Sequence, residues 1–515
     1  MPADQEDAEK SAYPLLERGG GEATAATIVV VPKGDSSKSL SRTPTATGVA
    51  GLVPNAPPLH WHLLCAGVVA NLSAVCGGFV YSWSSPMLPV LQDPSAPAGF
   101  VISLDEAAWV GSLTPLGAAF GPIPGGLFAD RFGRRPTLIV SGALMLTAWV
   151  LAALANSALW LYASRFIGGF VTGVVSCILP LYLGEIAVDR VRSALGTAMQ
   201  LSLTLGFMVP YAVGPYVSPM TLACVLASCC LLYFMASIRL PESPYLLCLR
   251  GDSEAASKAL QWLRGQSRDQ CYKELRRMEE ETQGQSRRRP PLQTFIRVFA
   301  TPGGRRAFFL VCALMLFQQL SGINAVLFYA QDILKRAFGG SPWLSPALGA
   351  ILIGLVQVVA SVSSVALTAC VSMKTLFIVS SLCAATAHAA LGYFFHLVAT
   401  GQDTSSIAAL PLASLCYYIV VYCLGLGSVP WALLGEVFGA DVKAASSAMC
   451  ASIYWVIGFF VTQFFGRVME AVGADYTFWG LGGCCVLSAA FAFAMLPNTK
   501  GKSLQEIQDI LNGRK

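Results

Sequence analysis

The sequence predicts an all-α membrane protein of twelve transmembrane helices, built as two pseudo-symmetric six-helix bundles. Three observations carry that prediction: the composition, the lengths of the apolar runs, and a set of motifs that recurs between the two halves. Of the 515 residues, 55% are hydrophobic and 12% charged, against about a quarter charged in an ordinary soluble domain. A water-soluble fold would lack the polar surface to cover itself. Apolar runs such as Leu138 to Ala155 and Phe377 to Leu397 approach the roughly 20 residues that cross about 30 Å of hydrocarbon as a helix. Lipid offers the backbone no hydrogen-bond partner, and these long, weakly alternating runs fit helices rather than barrel strands.

In chain order the expected spans are Leu63 to Trp83, Ala107 to Ala129, Leu138 to Asn156, Leu159 to Leu183, Ala194 to Val217, Leu222 to Arg239, Ala307 to Leu334, Ser345 to Cys370, Thr375 to Leu397, Ala408 to Leu434, Ala445 to Met469 and Tyr476 to Leu496. Residues 1–58, poor in aromatics and rich in Gly, Ser, Thr, Ala and Pro, predict a disordered cytoplasmic tail. Within it Tyr13-Pro14-Leu15-Leu16 has the form of a tyrosine-based sorting signal. Residues 59–240 make the N-terminal bundle, 241–306 a polar cytoplasmic linker, 307–497 the C-terminal bundle and 498–515 a short cytoplasmic tail. In the linker, Ser253 to Leu263 is apolar at helical spacing and predicts short amphipathic helices against the bundle. No cleavable signal peptide is expected, because a long polar and Pro/Gly-rich stretch precedes the first apolar run.

The net charge of +5 matters through its placement. Basic residues crowd the stretch from Arg239 to Arg306 and the loop holding Arg131, Arg134 and Arg135, whereas the connections Gln92 to Glu106, Asn156 to Ala158, Val217 to Met220 and Ala399 to Ser406 have none. The positive-inside rule puts the basic side and both termini in the cytoplasm, with Lys335 and Arg336 as the exception on the far side. Most of the sixteen cysteines fall inside apolar spans without metal-ligand spacing. They read as buried packers, and no metal or other cofactor is expected. The sequon at Asn71 lies in the first span, out of reach of glycosylation.

The halves echo each other. Gly184-Glu185-Ile186 is followed by Arg192, and Gly435-Glu436-Val437 by Lys443, with seven residues from acid to base in each case. Pro241-Glu242-Ser243 after the sixth span is matched by Pro497-Asn498-Thr499 after the twelfth. A parallel duplication of six-helix halves is an architecture of secondary transporters.

The loop Asp130-Arg131-Phe132-Gly133-Arg134-Arg135 is short and charged, with a turn at Gly133. Its arginines can reach carboxylates at the ends of neighbouring helices, with Glu185, Glu242 and Glu436 available, and so latch one side of the bundle. The bland alternative is a topology signal alone. With this loop stand Arg165-Phe166-x-Gly-Gly, Pro180-x-Tyr182-x-x-Glu185-Ile186-Ala187 leading to Arg192, Pro241-Glu242-Ser243-Pro244, Gln318-Gln319-Leu320-Ser321-Gly322-Ile323-Asn324, and Pro430-Trp431 four residues before Glu436. Taken in order, these motifs resemble the sugar porter family of the major facilitator superfamily, over His60 to Leu511. Trp109-Val110-Gly111-Ser112-Leu113 and Pro115-Leu116 are most similar to the facilitated trehalose transporters of insects within that family.

The resemblance implies a major facilitator fold and a sugar site midway across the bundle. Gln200, Gln318, Gln319, Asn324 and Trp431 fall where the family hydrogen-bonds or stacks on sugar. Gln357 and Tyr454 stand where the family has Asn, and Trp455 adjoins the latter. Neutral amides and an aromatic face suit a hydroxylated ring, since a buried charge is costly. Interhelical hydrogen bonds are the structural alternative for each amide. Phe328 and Tyr329 are expected at the outer gate. The implied gating set is Asp130, Arg131, Gly133, Arg134, Arg135, Arg165, Glu185, Arg192, Glu242, Glu436 and Lys443. The second-half counterpart of the arginine loop, Ala369 to Lys374, keeps one base.

Proton-coupled relatives carry an Asp in the first span beside the Arg of the fourth. Trp61 to Gln92 contains no acid, so Arg165 lacks a titrating partner, and His388 and His396 on the ninth span remain as the candidate proton carriers in the core of the membrane. The expectation is facilitative uniport of trehalose or a hexose such as glucose by alternating access, with no enzymatic chemistry. The alternatives are a non-transporting sugar receptor and a proton-coupled symporter. The expected partners are the sugar and the bilayer, without nucleic acid, for a protein functional as a monomer in the plasma membrane or an endosomal or lysosomal membrane.

Overall fold

The computed structural model describes residues 60–95, 99–283, 298–338, 345–438, 442–498, 506, 510 and 512, without the side chains of 189, 190, 192–194, 197, 365, 366, 368–370, 435 and 444. The expected N-terminal tail with its Tyr13 motif, most of the C-terminal tail, part of the linker and the side chain of Arg192 lie outside the described residues.

Every regular element among the described residues is helical. Ten spans are long and apolar enough to cross a membrane: Trp61–Leu91, Arg134–Ala153, Ala158–Ile186, Pro219–Ser237, Pro302–Phe338, Pro346–Ser364, Met373–Ala399, Ser405–Leu434, Ala445–Val472 and Ala474–Met495. Two further stretches complete twelve. The second span is made of Leu104–Phe120 and Pro122–Phe132, whose ends carry Asp105, Glu106, Asp130 and Arg131. The fifth is Asp189–Val213, which opens on charged residues and carries Gln200. Several helices also run past their apolar stretch, the third starting at Arg134 rather than Leu138, because helix continues into the wet interface where hydropathy falls.

Four spans are interrupted. The first breaks at Trp83 and the second at Gly121. The seventh divides into Pro302–Leu320 and Ile323–Phe338 around Gly322, whose φ is +86°, with a second departure from helix at Tyr329. The tenth contains a π-helical turn, Tyr422–Leu426, where Gly427 N–H bonds Tyr422 O at 2.7 Å. Such wide turns occur mostly as single insertions, often at functional sites.

Among the described residues two large buried apolar cores form, one from residues between 63 and 263 and the other almost wholly from residues between 298 and 496, with a small third in the linker around Ala256, Leu260 and Leu275. The packing partners repeat with a shift of six spans: second on fourth and eighth on tenth, first on fifth and seventh on eleventh, third on sixth and ninth on twelfth. The halves meet through second on eleventh and, symmetrically, eighth on fifth. The crossing of the second and fourth spans is the tightest contact of the first half. A β-carbon on Gly117, Gly121, Gly169 or Gly173 would collide with the facing backbone, the small-residue device that lets membrane helices approach closely.

The linker forms Pro244–Leu249, Ser253–Arg264 and Arg268–Gln283. The middle helix matches the expected amphipathic one: Asp252 caps it, Ala256, Leu260 and Leu263 are buried, and Gly265 ends it in the left-handed region. Asn71 is buried in the first span with Nδ2 on Gly67 O at 2.8 Å.

Candidate functional site

The central cluster is built where the seventh span breaks. Helix stops at Leu320 and restarts at Ile323, and the amides on either side bond to the tenth and eleventh spans and to each other. Gln318 and Gln319 are fully buried and Asn324 nearly so. Gln318 Nε2 donates to Tyr422 Oη at 2.8 Å and to Gly427 O at 3.2 Å, both in the interrupted part of the tenth span. Gln319 Nε2 donates to Tyr454 O at 3.2 Å, and Asn324 Nδ2 donates to Gln319 Oε1 at 2.9 Å. The π turn therefore supplies the Gly427 carbonyl that orients Gln318. A β-carbon on Gly458 would stand 2.8 Å from both Asn324 Nδ2 and Gln319 Nε2, so the eleventh span lies directly against the amide pair.

Aromatic rings enclose these amides. Trp431 stands edge-on to Tyr454 at 5.2 Å, Tyr454 to Trp455 at 4.8 Å, and Trp455 stacks on Tyr81 of the first span at 5.4 Å. Tyr81 in turn meets Phe207 of the fifth span and Phe328 of the seventh. Gln318 Oε1, Gln357 Oε1 and Trp455 Nε1 are buried with no hydrogen-bond partner among the described residues. Leaving such atoms unpaired costs about 1–3 kcal/mol each. Hydroxyl groups, which both donate and accept, have the chemistry to pair all three.

Gln200 does not join this cluster: it is exposed, and its side chain makes no hydrogen bond among the described residues. It sits seven residues before Phe207, hence on nearly the same helix face and about 10 Å nearer the basic end. The resemblance placed Gln200 by its position in the sequence, which does not record its depth or its distance from a partner. Tyr81, Tyr422 and Gly427 belong to the cluster and were missed; only the glycines flanking Leu426 hint at the local break. Phe328 is fully buried beside Tyr81 of the first span, and so does not lie in a lipid-facing belt.

The basic loop forms a second site. Arg134 is fully buried, with Nε and Nη2 on the Glu185 carboxylate at 3.0 and 2.9 Å and Nη1 on Asp130 Oδ1 at 3.0 Å. Glu242 Oε1 accepts from the backbone N–H of Arg134, Arg135 and Ser243 at 3.0, 3.2 and 2.9 Å. It thus caps the third span from a distance and places negative charge at that helix N-terminus. Gly133, at φ +126°, leaves the room: a β-carbon there would overlap Glu242 Oε2. Arg135 Nη2 bonds Ile238 O at 2.8 Å, while Arg131 lies over the Phe132 ring. Two linker arginines, missed from sequence, add to this frame. Arg250 Nη2 bonds the carbonyls of Asp130 and Arg131, and Arg264 joins Ile186 O to the Glu274 carboxylate.

These ties all lie within the first half and its linker. Glu436 does not enter the arginine network, and Lys443 is exposed at the start of the eleventh span. The counterpart loop of the second half, Ala369 to Lys374, carries no arginine, and its one base, Lys374, reaches Phe493 O at 2.7 Å and lies over that ring.

The halves are joined toward the end opposite the basic loop. Ser112 Oγ donates to Gln463 Oε1, Arg467 pairs with Asp105 at 2.7 Å, and Tyr211 Oη donates to Leu327 O at 2.7 Å. Gly111 lets Tyr329 approach, its absent β-carbon falling 2.9 Å from Tyr329 Oη. A cavity at this end is lined by Ser85, Gln92, Phe328, Tyr329, Asp332 and Arg467, among others.

Arg165 is buried with Nη2 on Val80 O and Ser84 Oγ and its guanidinium 5.1 Å over Trp83. All three partners are neutral. His388 is buried, bonded to Ser321 O at 2.9 Å and stacked near Tyr418 and Phe478. His396 sits differently from the mid-membrane place expected of it. It lies in the last turn of its span, part-exposed, with Nδ1 on Asp475 Oδ2 at 2.9 Å.

The family described as Sugar (and other) transporter matches residues 71–511. A facilitated trehalose transporter of Polypedilum vanderplanki is 32% identical over 467 residues, covering 90% of this chain and 90% of the relative. A facilitated trehalose transporter homolog of Drosophila simulans is 33% identical over 451 residues, covering 87% and 91%. Among solved structures, the inward open conformation of the xylose transporter XylE from E. coli superposes with a TM-score of 0.71 at 21% identity, covering 87% of this chain and 99% of that one.

Proposed function

Since this chain belongs to the sugar (and other) transporter family, we propose that it is a uniporter, carrying trehalose or a hexose such as glucose across a membrane by alternating access. The observation that carries this reading is the cluster of buried Gln318, Gln319, Asn324, Tyr454 and Trp455 with half-buried Trp431, together with buried Gln357 on the eighth span; Gln318 Oε1, Gln357 Oε1 and Trp455 Nε1 have no protein partner among the described residues. Neutral amides and an indole match sugar hydroxyls and the apolar face of a pyranose ring without burying a charge.

Passive flux is supported by the setting of Arg165. The described first span carries no Asp or Glu, and the guanidinium rests on a carbonyl, a hydroxyl and a ring, so no carboxyl group is placed to trade a proton with it. The basic end is cytoplasmic in this reading, and the conformation is closed toward the exterior. Asp130, Arg131, Gly133, Arg134, Arg135, Glu185 and Glu242 form the inner brace, with Arg192, Glu436 and Lys443 as the remaining gating positions. The protein works as a monomer at the plasma membrane.

Uptake of labelled trehalose and glucose into proteoliposomes, with and without an imposed pH gradient, tests the proposal. Equilibration without accumulation is expected. Accumulation driven by the gradient would replace uniport with symport, and saturable binding without flux would indicate a receptor.

A further inference from the structure

The seam between the seventh and eleventh spans carries more than the sugar cluster. Along the eleventh span, Cys450, Tyr454 and Gly458 recur every four residues, the spacing of one helix face. Tyr454 and Gly458 meet the Gln319 side chain. One turn nearer the basic end, Cys450 Sγ meets Cys312 Sγ of the seventh span at 3.8 Å. Cys312 precedes Gln319 by seven residues, which is two turns and about 10 Å on the same face. The dithiol and the amide are thus successive contacts of one interhelical seam.

The two thiols are unequally placed. Cys450 is fully buried and Cys312 is partly exposed. That division suits a pair in which the accessible sulfur reacts first and the buried one resolves it.

We propose that Cys312 and Cys450 form an oxidisable dithiol which a peroxide closes to a disulfide, stapling the seventh span to the eleventh beside the sugar cluster. The sulfur of Cys312 attacks one oxygen of hydrogen peroxide. An S–O bond forms, the O–O bond breaks, and the departing hydroxide leaves as water with the thiol proton. The sulfur of Cys450 then attacks the sulfenic sulfur. The S–S bond forms, the S–O bond breaks, and a second water leaves with the second thiol proton. Two electrons pass from the thiols to the peroxide. Closure shortens the sulfur separation by about 1.8 Å, to the roughly 2.05 Å of a disulfide, a distance that side-chain rotation and a small helix shift supply.

The staple matters because the seventh span is interrupted just beyond Gln319. The segment Pro302–Leu320 moves as one rod, and a covalent tie to the eleventh span fixes that rod against sliding along the seam. The effect on flux rests on the transport reading above; formation of the bond does not.

The test uses the full chain in proteoliposomes treated with hydrogen peroxide, digested without reductant and mapped by mass spectrometry. A cross-linked peptide joining Cys312 to Cys450 is expected, absent from C312S and C450S. Sugar flux is expected to fall several-fold in the wild type, to recover with dithiothreitol, and to resist peroxide in both variants. Oxidation of other cysteines without this cross-link would overturn the proposal. So would a C312S protein that folds and loses flux to peroxide as the wild type does. Should the reduced wild type move no sugar, the transport reading fails, while the cross-link map still decides the dithiol.

Discussion

The Glu242 carboxylate occupies the space that a side chain on Gly133 would fill, and from there it receives the N–H groups that open the third span. The glycine and the acid, 109 residues apart, are thus two parts of one cap. Gly133→Ala is expected to displace the carboxylate and force a β-carbon into a φ of +126°. The predicted loss is about 1–3 kcal/mol of stability, read as a lower unfolding midpoint of the detergent-solubilised protein. An unchanged midpoint would mean that the cap adds nothing.

Arg134→Ala leaves Glu185, Asp130 and the Ala129 carbonyl without their buried cation. Breaking a buried pair from one side costs about 3–5 kcal/mol. Lower abundance and slower sugar flux are expected, with E185Q partly restoring the protein because it removes the stranded charge. Full abundance and wild-type flux in R134A would reduce the loop to a topology signal.

Gln318→Ala removes the donor to Tyr422 and Gly427 together with the free Oε1. Saturable sugar uptake is expected to disappear, or its half-saturation concentration to rise at least about ten-fold, equivalent to roughly 1.4 kcal/mol. Insertion into the membrane should be retained. Unaltered uptake kinetics would remove Gln318 from the sugar site.

Two ties between the second and eleventh spans differ in burial, and their variants should differ in effect. Asp105 and Arg467 are both exposed, and such pairs contribute about 0–1 kcal/mol and weaken in salt. Ser112 and Gln463 are buried. Labelling of a cysteine introduced at Ala108, in the cavity wall, should accelerate more in S112A than in D105N, as the end opposite the basic loop opens more often. The reverse order would show that the exposed ion pair sets the closure.

Twelve crossings were legible because lipid leaves the backbone no alternative to helix, and the arginine loop because its charges cannot sit in hydrocarbon. The pairs Ser112 with Gln463 and Asp105 with Arg467 were not legible. They depend on how two separately folded halves meet, and no local periodicity records that. Arg250 and Arg264 were hidden for another reason: among the many bases of the linker nothing marks the two that turn inward to backbone carbonyls. Gln200 shows the limit of carrying a site over by position, since its place in the sequence does not record how far the gap between the halves leaves it from any partner. His396 was placed too deep because an apolar run does not reveal where along it the interface falls.

The π-helical turn Tyr422–Leu426 gives the tenth span one residue more per turn than its neighbours need. Such a surplus sits inside the helix as a single wide turn and rotates the residues beyond it relative to a regular α-helix. The Gly427 carbonyl faces Gln318 because of that surplus, and Trp431 follows on the same rod. The amide cluster and the pitch of the tenth span are therefore coupled through one hydrogen bond, so that a change in either is felt by the other.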